Sequence, residues 1–115
     1  MDKFLVLYNA PVSVVDEWTK KPAEERKGEE SKMQEGWQKW MSANAKNMVD
    51  KGAGVGKPKR VSSSGVADAR NDIMLYEIVQ ADSHDAATKL FQGHPHLGIP
   101  QATIEIMPLR AMGSM

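Results

Sequence analysis

Two segments of this chain are apolar on both sides of the strand they would form, and no other feature constrains the fold as tightly. In Lys3-Phe4-Leu5-Val6-Leu7-Tyr8-Asn9, one side carries Phe4, Val6 and Tyr8, the other Leu5 and Leu7, and Pro11 stops the run. Ile73 to Val79 repeats the pattern with one charged exception, Glu77. A strand with one wet face alternates apolar and polar side chains, so 3–9 and 73–81 belong in the middle of a sheet. Lys59 to Ser64 is a weak, polar strand, and Ala102 to Pro108 alternates Ile104 and Ile106 with Thr103 and Glu105; both suit sheet edges.

Helical spacing accounts for much of the rest. Across 30–51, Met33, Trp37, Trp40, Met41, Met48 and Val49 recur at steps of three and four, with Asn44 and Ala45 filling the stripe. Gly36 weakens that helix, and Gly52 supplies a left-handed stop. The charged run from Trp18 to Lys32, broken by Pro22, reads as a solvated connector or a frayed helix start. Ser83 is a good N-cap, Asp85 suits a first turn, and Ala86, Ala87, Leu90 and Phe91 form the buried stripe of a short second helix ended by Gly93. Gly65 to Asp72 is the loop of a wide hairpin, 94–101 leads to the last strand, and 113–115 is a frayed tail. The order β-α-β-β-α-β predicts one α+β, ferredoxin-like domain over 1–115, with an antiparallel sheet in the order 4-1-3-2.

Composition narrows the function classes. With 115 residues there is room for one modest core. Fifteen Lys and Arg against 15 Asp and Glu leave no net charge, which argues against nucleic-acid binding. The absence of cysteine removes disulfides, thiolate nucleophiles and Cys-ligated zinc. No run approaches the roughly 20 apolar residues of a membrane span, and no signal peptide is evident, so the expected location is cytoplasmic.

Two helices cover one face of such a sheet. The other face would leave an apolar patch on the central strands in water, which predicts a partner surface. With one chain type the partner is a second copy, so the expectation is a homodimer whose sheets pack face to face into a dimeric α+β barrel.

The order and several motifs resemble the YCII-related family of dimeric α+β-barrel proteins. The resemblance spans nearly the whole chain. It rests on Lys3-Phe4-Leu5-Val6-Leu7-Tyr8, Val61-Ser62-Ser63-Ser64-Gly65-Val66, Ala81-Asp82-Ser83, Gly93-His94-Pro95-His96-Leu97 and Ile104-Glu105-Ile106-Met107-Pro108. It implies the fold and the dimer, and a small, aromatic or lactone-like metabolite as substrate class. One branch of the family pairs a helix histidine with an Asp-Pro-aromatic aspartate; here those positions read Gln38-Lys39-Trp40 and His94-Pro95.

Among the residues themselves, His94 is the candidate catalytic group. It titrates near neutral pH and sits with His96 on either side of rigid Pro95, beside the expected cleft. The bland alternative is a helix-capping imidazole. Tyr8, Trp40 and His96 are candidate ligand-binding residues, with Trp37 and Tyr76 as further pocket aromatics and core packing as the alternative. His84, expected in an exposed first turn, does not complete a zinc set with His94 and His96, so neither metal nor cofactor is called for. The glycines of 52–57 lack the spacing and hydroxyl residue of a phosphate loop, and Lys57, Lys59 and Arg60 read as edge-strand charges. Asp68 and Asp72 are typical turn residues. Two functions follow: a small-molecule enzyme with a His-containing cleft in each subunit, or a non-catalytic ligand-binding or homodimeric interaction module.

Overall fold

A computed structural model describes residues 1–114, the side chain of Ser114 excepted. Met112–Ser114 form a short 3-10 turn where a frayed tail was expected, and Met115 lies outside the described residues. The molecule is a mixed α+β chain built on a four-stranded antiparallel sheet. Its strands are β1 (Asp2–Asn9), β2 (Met48–Gly54), β5 (Ile73–Ala81) and β6 (Thr103–Pro108), in the spatial order β2-β5-β1-β6. A separate hairpin, β3 (Lys59–Ser62) with β4 (Gly65–Asp68), lies between β2 and β5 in sequence. The helices are α1 (Val12–Thr19), α2 (Ala23–Ala43) and α3 (His84–Lys89).

The doubly apolar strands take the two inner positions. Their covered face carries Phe4, Val6 and Tyr8 from β1 with Glu77, Val79 and Ala81 from β5, all buried, and Trp37, Trp40, Leu90, Ile104 and Ile106 pack around them. Their other face pairs Leu5 with Ile78 and Leu7 with Tyr76, and these remain half-buried. Ser83 caps α3 as expected: its hydroxyl accepts from the Ala86 amide at 3.0 Å.

Several sequence expectations need correction. The long helix is not 30–51 but Ala23–Ala43, so the charged run is the end of α1 and the exposed first half of α2. Pro22 precedes α2 instead of breaking a helix, as fits a residue that lacks an amide hydrogen. At the other end, Asn44 leaves helical geometry and the Asn47 amide donates to the Gln80 carbonyl at 2.9 Å. That bond lays Met48 against Val79 as the start of β2, so two residues of the apparent helical stripe belong to a strand.

The edge strand beside β5 is therefore 48–54, and 59–64 is not in the main sheet. Residues 65–68, expected as loop, pair with 59–62 instead. Lys59 and Arg60 accordingly sit on an edge strand of the two-stranded hairpin and not on the edge of the main sheet. Gly52 is left-handed (φ 64°), but within an irregularity of the β2–β5 ladder; a Cβ there would lie 1.8 Å from the Tyr76 carbonyl oxygen, so only glycine fits.

Among the described residues, no helix is long and apolar enough to cross a membrane.

Candidate functional site

Strand alternation puts Tyr8 and Glu77 on the same, covered face of the sheet, Tyr8 opposite Leu75 and Glu77 opposite Val6. The two side chains are diagonal neighbours, and the Tyr8 hydroxyl donates a short hydrogen bond to Glu77 Oε1. Both are fully enclosed, at 0% and 1% exposure. A carboxylate taken out of water loses its hydration, so burial pushes the Glu77 carboxyl up to about 7, and the Tyr8 hydrogen bond only partly offsets that. Burial, then the bond and charge of Glu77, push the Tyr8 hydroxyl far above its usual range.

The turn after α3 brings in the histidines. Gly93 is left-handed (φ 72°) and reverses the chain, and His94-Pro95-His96 begins a 3-10 turn that spans Pro95–Gly98. His94 caps that turn: its Nδ1 accepts from the His96 amide at 3.0 Å. The proton of the neutral ring is therefore on Nε2, and among the described residues Nε2 has no hydrogen-bond partner. Aromatic rings surround it instead. Trp37 and Trp40 stand at 4.4 and 4.7 Å between centroids, both T-shaped to the imidazole, and Tyr8 lies at 5.2 Å. An N–H facing a ring is a weak interaction, which leaves most of that donor's capacity unspent. Burial, then the charge of His96, hold His94 down to about 4, so the ring is neutral at physiological pH.

His96 is a strut. Its Nε2 donates to the Asn9 carbonyl at 2.9 Å, tying the turn to the end of β1. Its pKa also falls through burial, against the opposing pull of backbone hydrogen bonds to Asn9 and Thr103.

Helix α2 roofs the cluster. Gly36 lets it approach closely, since a Cβ there would sit 3.0 Å from the Pro95 ring, and Trp40 Nε1 donates to the Leu90 carbonyl at 2.8 Å. Trp37 and Trp40 are half-buried, so the roof is one side chain thick. Two open surface grooves lie elsewhere. The larger, about 660 Å³, runs between Met1, Phe4, His84 and Arg110.

The structure thus gathers the four sequence-derived site residues, Tyr8, Trp40, His94 and His96, into one aromatic cluster with Trp37 and Phe91. Tyr76 is not among them, because it opposes Leu7 on the other face of the sheet. His84 is exposed, stacked on Phe4 at 5.4 Å with Nε2 2.7 Å from the Ile106 carbonyl. Asp68 pairs with Lys59 on the hairpin, and the Asp72 carbonyl accepts from Ala10. Among the described residues, no three His, Asp or Glu side chains converge as metal ligands.

Glu77 is the residue that sequence reasoning passed over. The signal was present as the one charge in an otherwise apolar strand. A buried carboxyl titrating near 7, bonded to a phenol whose ring packs against a neutral imidazole with a spare N–H, can take up or release a proton near neutrality. No protein-family model matches the chain, and no curated protein matches it.

Proposed function

We propose that this chain is a homodimeric, YCII-like α+β-barrel protein of the cytoplasm that performs acid–base chemistry on a small, uncharged molecule. Glu77 carries the proton, Tyr8 orients it, and His94 serves as a hydrogen-bond donor instead of the base. The observation that carries the reading is the buried Tyr8–Glu77 pair, with its carboxyl raised to about 7. Both protonation states of such a group are populated at neutral pH, the condition general acid–base catalysis requires. The aromatic surroundings suit an apolar or aromatic substrate, admitted when Trp37 and Trp40 shift. Support for the dimer comes from the half-buried apolar side chains on the uncovered sheet face, and for the family from the motifs around Lys3, Val61, Ser83, His94 and Ile104.

A second reading, a non-catalytic interaction module, is favoured by one specific observation: Tyr8, Glu77, His94 and His96 are all at most 2% exposed. The two readings separate experimentally. Carbon-13 NMR should show Glu77 titrating near 7, assigned by its loss in Glu77→Gln. A library of neutral metabolites is then screened by thermal shift. The enzyme reading expects a compound that stabilises the wild type but not Glu77→Gln, and that gains deuterium from heavy water only with the wild type. Titration of Glu77 in the ordinary carboxylate range, or a screen in which no compound depends on Glu77, overturns it in favour of the module.

A further inference from the structure

The β3–β4 hairpin is fully formed yet has nothing to lean on. Lys59 pairs with Asp68, Arg60 with Ala67, Val61 with Val66 and Ser62 with Gly65. The base is closed by the Ala69 amide on the Pro58 carbonyl at 3.1 Å. Every residue from Lys59 to Asp68 is exposed. On one face of this ribbon the Lys59–Asp68 ion pair, at 2.8 Å, is followed by the opposed valines Val61 and Val66, 78% and 67% exposed. A two-stranded hairpin alone in water is marginal, and a single apolar cross-strand pair adds at most about 1 kcal/mol to it. The molecule's dimensions tell the same story. It measures 46 × 46 × 20 Å with a radius of gyration of 16.1 Å, where a compact chain of this length has about 13 Å.

We propose that the hairpin 59–68 is an arm received by a second copy of this chain, with Val61 and Val66 packed against that copy. The inference rests on the homodimer reading above and adds to it the element that grips. Area favours a second copy as the occupant. Four strands about 4.8 Å apart and roughly 20 Å long present a sheet face of only about 400 Å². A stable interface needs about 800 Å² from each partner. The face that carries Leu5, Leu7, Met74, Tyr76, Ile78 and Met107 therefore falls short by roughly half, and the arm, attached to the same sheet, carries the two most exposed valines of the described residues. It springs from the ends of β2 and β5, so a two-fold axis through the sheet face gives each subunit one arm to extend and one to receive. Valines flanked by an ion pair match the apolar centre and polar rim of a subunit contact.

Sedimentation of the wild type, of Val61→Ser with Val66→Ser, and of Leu7→Asp tests this, together with hydrogen exchange of the arm amides above and below the dimer dissociation constant. Because the arm is exposed, the double variant should keep the wild-type circular dichroism and thermal transition measured as a monomer. The expected result is a wild-type dimer, a dissociation constant raised about tenfold or more by the double variant, and arm amides protected only in the dimer. A wild type that dimerises with unprotected arm amides, and a double variant that dimerises equally well, overturns the arm while the homodimer stands. A wild type that stays monomeric at high micromolar concentration overturns both. If Leu7→Asp leaves dimerisation intact and the double variant abolishes it, the arm stands and the sheet-face contact falls. Arm protection that appears with added RNA or anionic vesicles but not with protein concentration also overturns the proposal.

Discussion

The two faces of the β1–β5 pair are built from the same two strands, offset by one residue, and end in different states. On one face Phe4, Val6, Tyr8, Glu77 and Val79 are sealed; on the other Leu5, Leu7, Tyr76 and Ile78 stay half-buried. Hydropathy does not distinguish them, since both are apolar along most of their length. What lies above each face does. The covered face meets α2, α3 and the 94–98 turn, and it also holds Glu77, a buried carboxyl on an inner strand. A titratable group on the drier side reverses the usual sorting of polar groups to solvent, and perturbed groups of this kind cluster at working sites.

The most severe way to break this comparison is Tyr8→Ala. It should cost about 3–5 kcal/mol in urea unfolding, through the lost ring and the stranded Glu77 carboxyl. Leu7→Ala, one residue away, should cost about 1 kcal/mol when measured on the monomer; equal losses would show that the two faces are equally packed.

Next in size is Glu77→Gln. It keeps the shape and an acceptor for Tyr8 but removes a buried charge, so stability at pH 8 should rise by about 1 kcal/mol. The pH dependence sharpens the test. A carboxyl raised from 4.5 to about 7 on folding makes the folded state bind more protons in that window, so its contribution falls as pH climbs from 4.5 through 7. His94, lowered from 6.5 to about 4, acts in the opposite sense: its contribution is lost as pH drops from 6.5 through 4. In the wild type the Glu77 slope is opposed by that of His94 and, in the same sense, by that of His96, which burial also lowers. Chemical denaturation across pH should expose the His94 slope in Glu77→Gln and the Glu77 slope in His94→Gln; parallel profiles for wild type and both variants would mean that neither group is perturbed.

The smallest effect belongs to the exposed hairpin. Lys59→Ala removes a solvent-facing ion pair and should change monomer stability by no more than about 0.5 kcal/mol.

Much of the covered face was legible in the residues. The inner strands announced themselves by being apolar on both sides, and α3 by Ser83, Asp85 and Gly93. The grouping of Tyr8, Trp40, His94 and His96 followed from placing a strand, a helix and a loop around one cleft. The boundary at 44–48 was not legible, because Met48 and Val49 satisfy both a helical stripe and a strand. Only the bond from Asn47 to Gln80, a contact spanning more than thirty residues, decides between them. The same gap hid β2, and with it the fact that 59–68 forms a free-standing arm.

The amino-acid pattern alone dictates which segments belong inside a sheet, because burying apolar side chains is a local, additive preference that periodicity displays. It also supplied the reactive inventory: three histidines, no thiol, and one carboxyl in an apolar strand. Only the tertiary structure decided what those groups became. Enclosure raises Glu77, lowers His94 and, among the described residues, leaves its Nε2 without an acceptor, since desolvation and hydrogen bonding depend on what surrounds an atom and not on its neighbours in the chain.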